Sequence, residues 1–230
     1  MKRTENIIRT AADPERLYLR GLEFDMPDGT HVSVQKSDVP SADMKDSVVR
    51  HKGRYSLVGF YCRPNDHVLD FPCGSGYAAE ILAPFGIVYK GMDDDAITIE
   101  YARRIYGNKT TSFLSGDLTN PELPSAQFNV IGCIEGIEHI ESKYQGPLIK
   151  AFLNALKPGG TLIVSSPENP TGKSGPSMHN PYHKYELTRN DFLALLTDHF
   201  GAGNVELLTH KATLSTGVLT TCFYGVCHKK

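Results

Sequence analysis

The sequence predicts an α/β protein whose mostly parallel, seven-stranded sheet is covered by helices on both faces. Three observations predict it. Strand-like and helix-like runs alternate from His67 onward, as they do when a sheet is covered on both sides. The stretch "VLDFPCGSGYAAEIL", Val68 to Leu82, runs from a buried strand through a glycine turn straight into a helical pattern. "LKPGG", Leu156 to Gly160, stops a helix and turns into the next strand.

In chain order, Gly21 to Gln35 shows two short alternating runs around Pro-Asp-Gly, the signal of a β-hairpin. It precedes the main body and is placed to form a lid or an interface. Lys45 to Cys62 has helical spacing, with Val48, Tyr55, Leu57 and Phe60 for a buried stripe and Arg50, Lys52 and Arg54 for a wet one. Strands are predicted at 67–71, 87–92, 111–114, 128–133 and 161–165, and helices at 76–84, 95–106 and 145–156. A Pro/Gly/Ser/Asn-rich loop at 166–184 is followed by a helix at 188–199 and by closing strands near 204–209 and 219–227. A loop of that length in a compact domain is more often functional than a mere connection. Together with the hairpin it is expected to form an acceptor pocket. Residues 1–44 thus form an extension and 45–230 one domain.

Composition excludes several classes. With 40% hydrophobic and 22% charged residues the chain is ordinary globular material, neither disordered nor collagen-like. A net charge of −2 gives no reason to expect a polyanion partner such as nucleic acid. No apolar run is long enough to span a bilayer, and the N-terminus lacks the apolar core of an export signal. The expectation is a soluble, cytoplasmic protein. Its cysteines, Cys62, Cys73, Cys133, Cys222 and Cys227, are odd in number and contain no C-x-x-C pair, so they read as free thiols in a reducing compartment.

Asp70 ends the first strand of the rhythmic region, and Cys73-Gly74-Ser75-Gly76 form a turn whose backbone can face a ligand at the next helix's start. Asp93, 23 residues on, ends the second strand, where a carboxylate reaches ribose hydroxyls. The turn is not G-x-G-x-x-G, because Pro72 takes the first glycine place. A nucleoside without a pyrophosphate fits it better than a dinucleotide.

"LDFPCGSG", "GMDDD", "LSGDL", "FNVIGCIEGIEHI" and "ALKPGGTLIVSSPE" occur in that order between His51 and Phe200. In this the chain resembles the class I S-adenosylmethionine-dependent methyltransferases, which implies their Rossmann-like fold and their cofactor. The departure is Pro72, where the family pattern D-x-G-C-G-x-G has glycine. Carried over, the resemblance implies that Gly74 and Gly76 pass the cofactor's amino-acid portion, while Asp70 orders the turn or binds the amino group. Asp93 would take the ribose hydroxyls, with Asp94 and Asp95 as alternatives. Asp117 would accept from the adenine amino group and Leu118 would pack on the ring. Within "HKGRY", Arg54 and Tyr55 correspond to contacts with the methionine end, and Glu135 is placed to contact cofactor or acceptor.

Glu135, Glu138 and His139 stand at i, i+3 and i+4, which on a helical turn shares one face. "HNPYHKYELTRNDF" then offers His179 and His183. This pattern resembles O-methyltransferases of small-RNA 3′ ends and of ubiquinone biosynthesis, implying that Glu135, Glu138, His139 and His183 hold Mg²⁺ or another divalent metal. It also implies a catalytic or acceptor-facing role for His139 and His183. The plainer alternative has the glutamates capping a short helix and the histidine closing hydrogen bonds beneath the cofactor. "NPYHKYELTRNDF" also resembles a segment of methyltransferases that tailor glycans and small molecules. Three functions stay open: methyl transfer to a hydroxyl of a small molecule or sugar, 2′-O-methylation of an RNA 3′ end, and non-catalytic binding of the cofactor. The sequence carries no indication of oligomeric state.

Overall fold

The computed structural model describes residues 6–9, 16–36, 42–213, 217 and 219–230, with the side chains of 42–48 outside that description. The main sheet contains β4 (His67–Asp70), β5 (Val88–Asp93), β6 (Thr111–Ser115), β7 (Phe128–Cys133), β8 (Leu156–Pro167), β9 (Val205–Thr213) and β10 (Leu219–His228). Their order is β6-β5-β4-β7-β8-β10-β9. β10 runs antiparallel to both neighbours, and the pairs from β6 across to β8 are parallel.

Alternation along the central strands divides the core in two. Val68, Val130 and Ile163 face one cluster, which is shared with α1 (Ala42–Phe60), α2 (Ala78–Leu82) and α3 (Ala96–Tyr106). Leu69, Ile131, Leu162 and Val164 face the other, covered by α4 (Ser142–Ala155) and α5 (Arg189–Phe200). Strands buried on both faces are apolar at successive positions, which is why "HVLD" and "FNVIGC" read as short apolar runs.

The predicted hairpin is present as β2 (Leu22–Asp25) and β3 (His31–Val34), closed by Gly29 at φ +87°. The sequence reading did not include β1 (Asn6–Arg9), which pairs in parallel with β3. Phe24, Val32 and Val34 are buried and join the core on the α1–α3 side.

Two details differ from the expected pattern. α1 starts at Ala42 and buries Tyr55 and exposes Lys52 as predicted, but it also buries Arg54 and leaves Phe60 78% exposed, the reverse of the expectation for those two. Its inward positions are 54, 55 and 58, and Arg54 tolerates burial because a carboxylate meets it there. The side chain of Val48 lies outside the described residues. "LKPGG" belongs to β8, with Gly159 at φ +76° and a register shift against β7 between Phe128 and Val130. Among the described residues no helix is long and apolar enough to cross a membrane, and the five cysteines are free thiols.

Candidate functional site

The carboxyl ends of β4, β5, β6 and β7 open into a cleft of about 600 Å³. It lies where the strand order reverses, the place at which open α/β sheets take ligands.

The glycine turn forms its floor. Cys73 N–H donates to Met92 O (2.8 Å) and Gly76 N–H to Cys73 O (3.0 Å), which fixes the turn on β5. Gly74, at φ +51°, faces open space and lines the cleft. Gly76, at φ +82°, does not line it. A Cβ there would stand 2.6 Å from the Phe113 ring and 2.8 Å from Ala102, so packing by itself requires this glycine.

Asp70 also stands behind the wall, 1% exposed, accepting hydrogen bonds from Tyr55 Oη (3.1 Å) and Tyr89 Oη (2.5 Å). It ties α1 and β5 together beneath the turn. Burial pushes its carboxyl up to about 7 against the two hydroxyls, which work to lower it. The fold therefore favours the protonated acid, and this contribution to stability is full below the unfolded value of ~3.9 and is lost as pH rises toward 7. Asp70→Asn is expected to flatten the decline in stability across that window relative to the parent. Thermal unfolding at stepped pH measures it, and parallel profiles would refute the assignment.

Asp93 and Asp94 line the cleft, whereas Asp95 caps α3 by accepting from Ile97 N–H (2.9 Å) and Thr98 N–H (3.2 Å). Asp117 and Leu118, which follow the neighbouring strand β6, line it as well. Asp117 Oδ1 accepts from Thr119 N–H and Oγ1, both at 2.7 Å, and Oδ2 stays outside that turn.

At the far end, Glu135 has φ +51°, a strained value for a non-glycine residue and one that concentrates at functional sites. The segment is therefore not one helical face. Only Ile137–His139 is helical, as a single 3₁₀ turn. Glu135 accepts from Ser165 Oγ (3.1 Å) and pairs with Arg54 (3.1 Å), whose Nε donates to Tyr224 Oη. Burial works to raise the Glu135 carboxyl, but Arg54 and His51 hold it below its ordinary value. Arg54 itself is behind the lining, so its reach to the cleft is through Glu135, while Tyr55 lines the cleft directly.

Glu138, His139 and His183 form a cluster whose ligand atoms all lie within 4.8 Å of one another. Glu135 is outside it, so the group is narrower than the four-residue set that the resemblance implied. Glu138 is fully buried, and neither of its oxygens has a hydrogen-bond partner among the described residues. The His139 and His183 rings stand edge to face at 4.9 Å, and both line the cleft. Burial, followed by His183, pushes the His139 imidazole down to about 4. His183 comes from the long loop, which is held in place: Gln145 Nε2 donates to Ile137 O and Tyr185 O, both at 3.0 Å, and Tyr185 N–H donates to Glu138 O (3.1 Å). Glu186 accepts from His183 Nδ1 at 2.7 Å, which leaves Nε2 toward the cluster. His179 is exposed and outside the cleft.

Sequence reasoning missed His51, which lines the cleft and bonds Tyr77 Oη through Nδ1. Burial and Arg54 push its imidazole down to about 4, so it is neutral at pH 7. The signal was available, since His51 and Tyr55 are i and i+4 on α1. The hairpin was expected to shape the acceptor pocket, but residues 21–35 do not line the cleft. Among the described residues of the extension, Arg16 and Leu17 line it.

A sheet of this order, with a glycine turn, an acidic strand end and a nucleoside-sized cleft at the switch point, defines a Rossmann-like methyltransferase fold. The chain belongs to the methyltransferase domain family, whose sequence profile matches residues 48–206. Among relatives, a Mycolicibacterium smegmatis protein named "Probable S-adenosylmethionine-dependent methyltransferase" is 30% identical over 148 residues, 64% of this chain and 56% of that one. The mitochondrial ubiquinone biosynthesis O-methyltransferase of Schizosaccharomyces pombe is 26% identical over 110 residues, 46% of this chain and 39% of that one. The chain thus spans little more than half the length of the first relative and less of the second. The Burkholderia thailandensis 1,6-didemethyltoxoflavin-N1-methyltransferase, solved with bound 1,6-didemethyltoxoflavin and S-adenosylhomocysteine, superposes with a TM-score of 0.62 at 14% identity, covering 81% of this chain and 83% of that one. That likeness is one of fold.

Proposed function

We propose that the chain binds S-adenosylmethionine in this cleft and transfers its methyl group to a hydroxyl of a small molecule or sugar. The observation that carries the reading is one cleft with two walls: Gly74, Asp93 and Leu118 on the nucleoside side, His139 and His183 on the other. The ubiquinone-pathway relative, an O-methyltransferase by name, favours oxygen as the acceptor atom. In this reading 45–230 carry the catalytic fold, 1–44 are its extension, and the protein is cytoplasmic.

Methyl transfer is an in-line displacement: the acceptor oxygen forms the new C–O bond, its O–H proton leaves to solvent water, and the C–S bond breaks with its electron pair returning to sulfur. Holding the two reactants in line supplies much of the rate. Asp93 accepts from the ribose, Asp117 Oδ2 from the adenine amino group, and Leu118 packs on the ring. Tyr55 and Glu135, the latter fixed by Arg54, border the methionine end. Asn180, Tyr182 and Lys184, from the long loop, border the acceptor end with His183.

The buried, unpartnered Glu138 carboxylate beside two imidazoles fits a divalent metal. Glu138, His139 and His183 would hold it, and two nitrogen donors suit Mn²⁺, Fe²⁺ or Zn²⁺ better than Mg²⁺. When bound, such an ion polarises the acceptor hydroxyl and lowers its pKa. Glu186 fixes the tautomer of His183, and Gln145 keeps the loop against the 3₁₀ turn.

Calorimetric titration with S-adenosylhomocysteine, followed by labelled S-adenosylmethionine with a panel of phenols and sugars, tests the reading. Micromolar binding, about −8 kcal/mol, and chelator-sensitive labelling of hydroxylated small molecules are expected. Absence of nucleoside binding overturns it, and labelling confined to RNA 3′ ends transfers the reading to the RNA acceptor.

A further inference from the structure

Arg16 and Leu17 precede the span matched by the family profile, yet they line the cleft beside Asp93. Arg16 Nη2 lies 2.8 Å from Asp93 Oδ1 and 3.2 Å from Asp94 Oδ1, and Arg9 pairs with Asp95 at 2.8 Å. The segment is clamped further along its length. Ser75 Oγ donates to Leu17 O (2.5 Å), and Tyr18 Oη is bonded to Thr98 Oγ1 (2.9 Å) in the core.

The carboxylate of Asp93 has about four acceptor positions. Oδ1 accepts from Arg16 and from Asp95 N–H (3.1 Å), and Oδ2 accepts from Gly74 N–H (3.0 Å). One position is left, whereas a ribose diol brings two hydroxyl donors. The donors from Gly74 and Asp95 are backbone groups fixed by the glycine turn and by the start of α3. Of these three donors, the Arg16 side chain is the one that can leave.

We infer that Arg16 competes with the ribose hydroxyls for Asp93, so that cofactor binding and release of the N-terminal segment from Asp93 are one event. This rests on the cofactor reading of the cleft. By linkage, whatever loosens Arg16 tightens the cofactor, and the cofactor loosens Arg16 to the same degree.

The test uses the full chain and S-adenosylhomocysteine. Arg16→Ala is expected to bind it about fivefold tighter than the parent, equivalent to ~1 kcal/mol. In the parent, the same ligand is expected to accelerate tryptic cleavage after Arg16. Equal or weaker binding by Arg16→Ala overturns the inference and leaves the cofactor reading standing. No binding by the parent removes that reading and the inference with it. If the variant does not fold, the tryptic cut decides: acceleration supports the competition, and protection overturns it.

Discussion

A Glu138→Leu variant is expected, with metal chelated, to be more stable than the parent chain and, with metal supplied, to transfer methyl groups about 10²-fold more slowly. The stability gain follows from burial. Glu138 is fully enclosed, and burial together with nearby Glu135 drives its carboxyl well above the ordinary range. An unpartnered buried acid costs the fold free energy that an apolar side chain of similar volume does not. The gain should be ~1–2 kcal/mol, seen as a rise of about 2–8 °C in unfolding temperature. The loss of rate follows from the cluster, which is left with two imidazoles and no carboxylate. Affinity for S-adenosylhomocysteine should hold, because Glu138 does not line the cleft. Opposite movements of stability and rate at one residue mark a group kept for chemistry. Calorimetry and single-turnover methyl transfer measure both, and a destabilised variant with normal turnover would assign Glu138 to the scaffold.

The legible parts of the fold were those written locally. Strand, glycine turn and helix follow one another within Val68–Leu82, and Asp93 marks a strand end whatever the strand's neighbours are. Gly74 and Gly76 look alike in sequence, because whether a glycine faces a ligand or a Phe113 ring is decided by β6, which lies beyond the turn. Arg54 looked solvent-facing because α1 carries three basic residues at alternate positions, and its partner Glu135 comes from the far side of β7. The approach of His183 to His139 depends on Gln145, a buried amide that bridges two backbone carbonyls and has no periodicity to reveal it. Arg16 lay beyond reach for a similar reason: its partners are 77 and 78 residues away.

The place where the glycine turn departs from the family pattern carries the other large effect. Gly136→Ala is expected to destabilise the chain by about 2–3 kcal/mol and to weaken cofactor binding. Gly136 has φ −135°, outside the left-handed region that favours glycine. The obstacle is Pro72. A Cβ on Gly136 would stand 2.2 Å from Pro72 Cδ and 2.8 Å from its Cγ, with Cys133 Sγ at 3.3 Å. A proline ring cannot swing aside as a flexible side chain can. On either side of it, Phe71 N–H donates to Gly132 O (2.9 Å) and Cys73 N–H to Met92 O (2.8 Å), so the turn cannot slide freely. Relief must come from shifting the glycine turn, which carries Gly74, or the segment that carries Glu135 and Glu138. Pro72 and Gly136 thus form an interlocked pair between the cofactor wall and the acidic motif. Pro72→Gly in the Gly136→Ala background should then recover part of the lost stability, with a coupling of about 1–2 kcal/mol. Denaturant unfolding of the four chains, with S-adenosylhomocysteine titrations alongside, measures it. Strict additivity would mean that the ring and the glycine do not constrain each other.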